Sequence, residues 1–187
     1  MKPIKLATLT ILVALSVSTN YLMISLYNVK LMDLIVFVGG FCFGPVVGVL
    51  IGVFSWAVYG TLNPMGFSLA IWFATMFSEA VYGIVGGLVG KILFSNQGDE
   101  LKREMRNACF FFGTLGMLLT FAYDIITNIV FGYFSYSSIL LGVITGFVPF
   151  GLIHVVSNAF FFGLGCAPAI RVINNVTGVN RSGRSKE

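Results

Sequence analysis

Long apolar runs separated by basic residues are the feature that most limits what this chain can fold into. Residues 6–26, 34–62, 67–94, 108–131 and 139–170 carry almost no charge. Only 10% of the chain is Asp, Glu, Lys or Arg, against 57% hydrophobic, so no soluble domain could cover these runs. Each approaches or exceeds the roughly 20 apolar residues that take a helix across about 30 Å of hydrocarbon. Lipid offers no water to unpaired backbone groups, so the runs are read as helices and the chain as an all-α, polytopic membrane protein.

The number of crossings turns on residues 31–62, too long for one ordinary span. Gly44-Pro45 interrupts them, and proline both removes a backbone donor and disfavours helix at the residue before it. A single kinked helix gives five crossings; a reversal between residues 31–43 and 46–61 gives six. Charge decides. With six crossings and the N-terminus inside, Lys2, Lys5, Lys91, Lys102, Arg103, Arg106, Arg171, Arg181, Arg184 and Lys186 all face the cytoplasm, and only Lys30 faces out. That is the positive-inside pattern, and five crossings destroy it. The expected architecture is therefore a compact bundle of six transmembrane helices over residues 1–173. Both termini are cytoplasmic, residues 174–187 form a flexible tail, and the location is the cell membrane. The second helix, residues 31–43, reaches only about 20 Å at 1.5 Å per residue. It needs tilt, local thinning or a wet outer end, and short helices beside cavities are common in transport proteins.

Other features narrow the class. Lys2 and Lys5 open an apolar start, but no small-residue cleavage pattern follows, so a cleavable signal peptide is not expected. Cys42, Cys109 and Cys166 fall in separate runs without metal-ligand spacing and are read as packing residues. The net charge of +4 reflects topology and anionic lipid rather than nucleic acid. The charged stretch 95–107 reads as a solvated connector with a short surface helix. No Gly-x-Ser-x-Gly, His-Glu-x-x-His or Walker-type loop occurs, so neither an enzyme nor a resident metal or cofactor is expected.

Small residues recur at packing intervals. Gly40, Gly44, Gly48 and Gly52 follow one another every fourth position, and Gly83/Gly87, Gly86/Gly90 and Gly142/Gly146 repeat the spacing. In lipid such spacing lets helix backbones approach closely, and packing within the bundle accounts for most of these pairs. Thr10, Ala14 and Ser18 make a small-residue stripe on the first helix. Spacing alone leaves open whether the stripe packs inside the bundle or docks a membrane partner.

The block Phe43-Gly44-Pro45-Val46-Val47-Gly48-Val49-Leu50-Ile51-Gly52 fits the pattern F-G-P-x-x-G-x-x-x-G. With a short basic start, a striped first helix and six helices in under 190 residues, the chain resembles the substrate-binding S component of energy-coupling-factor (ECF) transporters. The resemblance covers residues 4 to about 172. It implies capture of a vitamin or related micronutrient and docking onto a transmembrane coupling subunit served by ATPase subunits. It also implies that Thr10, Ala14 and Ser18 form the docking face, although two of the three are hydroxylated where alanine is usual.

Three ionisable groups lie deep in the runs: Glu79, Asp124 and His154. Each needs a partner or a wet cavity, because insertion of a bare charge costs several kcal/mol. Asp124 with Asn128, and His154 with Asn158, have i, i+4 spacing and share a helix face. One reading is a buried network clamping the fourth, fifth and sixth helices. The other is a polar patch lining a ligand cavity open to the outside, with Trp56, Tyr59, Asn63 and Trp72 around its mouth; singly, each of these four also fits an interfacial aromatic belt. Two carboxylates and two amides suit a ligand with amine or amide groups. Asp33 is expected to cap the second helix in the headgroup region. The alternatives are a stand-alone proton-coupled carrier using Asp124, Glu79 and His154, or a structural or assembly protein.

Overall fold

The computed structural model describes residues 3–64, 66–95 and 108–177, and among these the chain is helical with no strand. The helices are α1 (Pro3–Leu22), α2 (Met32–Phe43), α3 (Pro45–Thr61), α4 (Leu69–Ser95), α5 (Ala108–Tyr136), α6 (Ile139–Gly146) and α7 (Leu152–Thr177). A π-helical turn, Phe147–Gly151, joins α6 to α7. Three stretches are long and apolar enough to span a bilayer by themselves: Leu69–Leu93, Ala108–Tyr136 and Ile139–Thr177. The apolar helices α1, α2 and α3 are shorter. Most of the connector at 95–107, and the tail beyond Thr177, lie outside the described residues. α7 itself runs four residues past position 173.

The chain reverses at Gly44. Its φ of 98° is a left-handed value that glycine accepts without strain, and Pro45 follows at the first position of α3. In one continuous helix Gly40 and Gly48 would stand about 12 Å apart. Instead a β-carbon added to Gly48 would fall 2.7 Å from the Gly40 Cα, so α2 and α3 form an antiparallel hairpin. Glycine makes the next layer possible. A β-carbon on Gly48 would also lie 2.6 Å from the Cα of Gly83, and those on Gly86 and Gly90 would collide with the backbone at Phe37 and Phe41. Thus α4 lies directly on the α2–α3 hairpin, with the close backbone approach that small residues allow in lipid.

The second half closes the bundle. α7 packs along α5 through Gly113 and Gly163, and Gly132 meets Gly142 where α6 turns back onto α5. Ser138 caps α6 by accepting from the Leu141 backbone N–H at 3.3 Å. Between the halves sits an aromatic core in which Phe37 contacts Phe162 at 5.2 Å and Phe112 at 6.0 Å between ring centroids. The last apolar run, read from sequence as one helix, is two. Val148 leaves helical geometry (φ −113°, ψ 116°) ahead of Pro149, which lacks the donor a continuous helix needs.

Candidate functional site

The interior polar cluster is built around His154, which is fully buried near the start of α7. Its Nε2 lies 2.7 Å from Oδ2 of Asp33, and its Nδ1 lies 3.0 Å from Oδ1 of Asp124. A ring carrying both protons donates to both carboxylates at once; a neutral ring has only one N–H to give. Asn158, one turn along the same face, spends both amide hydrogens, on Asp33 Oδ2 at 2.5 Å and on Thr120 Oγ1 at 2.8 Å. Thr120 also accepts from the Tyr82 hydroxyl at 2.8 Å and donates to the Gly116 carbonyl at 2.8 Å. That hydroxyl is saturated, so α2, α4, α5 and α7 are tied at one point.

Asp33 overturns its expected role. It is 0% exposed, and the start of α2 has no side-chain cap. Its carboxylate instead serves His154 and Asn158 in the bundle interior. Nothing in the sequence signals these pairings, whose partners lie 121 and 125 positions away.

Glu79, on α4, is likewise 0% exposed. The close approach of α3 to α4 places it: a β-carbon at Gly52 would fall 3.1 Å from the Glu79 carbonyl carbon. One turn on from Gly52, Trp56 then donates its indole N–H to Glu79 Oε2 at 3.1 Å.

Trp56 is also the wall between this cluster and a cavity of about 160 Å³. Asn20, Lys30, Tyr59 and Asn63 line it together with residues of the α1–α2 connection. That connection is pinned across the end of the bundle. Asn28 donates to the Phe150 carbonyl at 3.0 Å, and just before it Tyr21 of α1 donates to the Leu62 carbonyl at 2.9 Å. The Lys30 ammonium lies 5.4 Å from the ring centres of both Trp56 and Tyr123, in a cation–π slot. Around this place several buried oxygens lack a protein hydrogen-bond partner: Asn20 Oδ1, Asp33 Oδ1, Glu79 Oε1, Asp124 Oδ2, Asn158 Oδ1 and the Tyr123 hydroxyl. Buried polar atoms are normally paired, so this concentration is unusual.

Of the residues singled out in the sequence, Glu79, Asp124, His154, Asn158 and Trp56 come together in the cluster, and Tyr59 and Asn63 line the cavity. Asn128 does not join them; its carboxamide lies where a β-carbon on Gly146 would fall, at the α5–α6 contact. Trp72 donates to the Ala57 carbonyl at 3.4 Å and seals the α3–α4 seam beside Gly60. Thr10, Ala14 and Ser18 are exposed on the outer face of α1. Sequence reasoning missed Asp33, Lys30, Asn20, Thr120 and Tyr123. Asn20 had a signal, as a lone amide in an apolar helix; Thr120 and Tyr123 had none.

An apolar helical bundle that buries a polar cluster beneath a cavity at one end is a membrane protein with room for a small molecule. The sequence model of the family "ECF transporter, substrate-specific component" matches residues 4–164. The chain therefore belongs to that family, the substrate-binding membrane subunits of ECF transporters, which are not enzymes and work with membrane and ATPase subunits. No curated protein matches the chain significantly, and no solved structure does.

Proposed function

We propose that this chain captures a vitamin or related micronutrient from outside the cell for an ATP-driven ECF-type importer of the plasma membrane. The ligand site combines the cavity under the α1–α2 connection with the Asp33, Glu79, Asp124, His154 and Asn158 cluster. One observation carries the reading: buried oxygens without protein partners are concentrated beside a walled cavity. A purely structural clamp would satisfy its own members, since a half-satisfied network is worse than an apolar core.

Docking onto the coupling subunit is assigned to the stripe Thr10, Ala14 and Ser18, whose exposure on α1 leaves a surface that a partner backbone can approach closely. The test joins both halves of the proposal. Native mass spectrometry of the purified protein should find a bound small molecule. Ala14→Leu should abolish co-purification with the coupling subunit while that molecule stays bound. Loss of neither would remove the stripe from the interface, and a protein that never carries a ligand would sink the capture reading.

A further inference from the structure

Among the described residues that line the cavity, Lys30 is the one charged side chain. The acidic groups of the cluster lie behind Trp56 and do not line it, so an occupant meets an ammonium and no carboxylate. Lys30 is held by rings, not by oxygens. Its Nζ lies 5.4 Å from the ring centres of Trp56 and Tyr123, and among the described residues it makes no ion pair and no hydrogen bond. A cation–π contact fixes the charge in place but leaves the three N–H donors of an ammonium without an oxygen. A counter-ion for the cluster would sit against a carboxylate oxygen, and His154 already fills that place between Asp33 and Asp124. Asn20 is a second, independent sign. It is only 3% exposed and lines the same cavity, and its Oδ1 has no partner. Its Nδ2 reaches no more than the Met32 thioether, a weak acceptor, at 3.9 Å. Buried amide oxygens are normally paired, so the occupant has to supply a donor as well as an anion.

Resting on the proposed capture role, we propose that Lys30 binds a carboxylate of the captured molecule and that Asn20 Oδ1 accepts a hydrogen bond from an N–H or O–H of the same molecule. Trp56 and Tyr59, which meet edge to face at 5.4 Å, give the rest of the ligand an aromatic wall. Size narrows the class. The cavity is about 160 Å³, and an engineered apolar cavity of roughly 150 Å³ in another protein holds one benzene. A one-ring acid fits that space and a large cofactor does not. Charge sets the sign: a cationic ligand would meet the Lys30 ammonium as a like charge.

The test uses probes of one shape on the full-length protein in phosphatidylcholine nanodiscs: benzoate, benzamide and benzamidine. Affinity is read from the emission of Trp56 in a Trp72→Phe background. Benzoate should bind at least about tenfold tighter than the other two, as a charge-assisted hydrogen bond allows. Lys30→Met should remove that preference while benzamide binds as before, and Lys30→Arg should keep it. A merely structural lysine would weaken all three probes alike. For Asn20, pyrrole-2-carboxylate should bind about fivefold tighter than furan-2-carboxylate, and Asn20→Leu should equalise them. Equal binding of benzoate and benzamide, tighter binding of benzamidine, or a preference unchanged in Lys30→Met overturns the carboxylate site; equal binding of the pyrrole and furan acids overturns the part given to Asn20. If Lys30→Met does not fold, the order of the probes in the Trp72→Phe protein decides alone. Loss of benzoate binding when phosphatidylglycerol is added assigns Lys30 to a lipid phosphate and overturns the proposal. Native mass spectrometry separates this inference from the one beneath it. A co-purified molecule without a carboxylate overturns the inference and leaves capture standing, whereas a protein that carries no small molecule and binds no probe overturns both.

Discussion

His154 holds two aspartates apart with a single ring, and this decides how the site responds to substitution. His154→Ala leaves the Asp33 and Asp124 carboxylates buried with no cation between them, and stranding a buried charge costs about 3–5 kcal/mol. Asp124→Asn is milder, since the amide oxygen still accepts from Nδ1–H; the net worth of such a bond is about 1 kcal/mol. Thermal unfolding in detergent should therefore show a large loss for His154→Ala and a small one for Asp124→Asn. Ligand affinity, measured on the folded fraction, tests the binding role apart from stability. If Asp124 Oδ2 contacts the ligand, Asp124→Asn weakens binding at least tenfold, about 1.4 kcal/mol, while stability is nearly kept. Lower stability with undiminished affinity would make Asp124 a clamp only.

At the scale of elements, glycine spacing does the positioning that hydrophobic patterning cannot do in lipid. Gly48 and Gly83 bring α3 onto α4, and that contact sets the height at which Trp56 meets Glu79. Gly83→Ala would drive a methyl into the backbone at Gly48, where neither helix can yield cheaply. Overpacking of this kind costs about 1–3 kcal/mol, and here it also separates Trp56 from Glu79. The expected outcome is a lower melting temperature together with a shifted Trp56 emission in a Trp72→Phe background. An unchanged emission would show that the seam does not set the site. This seam was legible in part: the four-residue glycine rhythm marks close helix packing and the charge pattern turns the break at Gly44-Pro45 into a reversal, but spacing alone does not say which helix lies on the hairpin. The break at Val148-Pro149 was legible in principle from the proline, but the uninterrupted apolar run concealed it. Asp33 was not legible, because an acidic residue at a helix start is also what a cap looks like. Only tertiary pairing over more than a hundred positions tells the two apart.

At the scale of the whole molecule, the hairpin and the charge pattern constrain one another. α2 starts, and α3 ends, at the end of the bundle that carries the cavity; Gly44-Pro45 and the start of α5 lie at the other. Lys30 is the one basic residue among the described residues at the cavity end, and here it has a local reason to stay, held between Trp56 and Tyr123. The remaining Lys and Arg residues fall in segments that the six-crossing arrangement assigns to the cytoplasm. In that proposed arrangement the cavity would open outward, as capture from outside requires. In a background lacking Cys42, Cys109 and Cys166, Val29→Cys, Pro64→Cys and Ser137→Cys should react with an impermeant maleimide added to intact cells. Gly98→Cys and Gly183→Cys should react only after the membrane is opened. Labelling of Pro64→Cys and Gly98→Cys from the same side would break the arrangement, because α4 alone separates them and is long enough to span. A fully inverted result would keep six crossings but turn the cavity toward the cytoplasm, and capture from outside would fail with it.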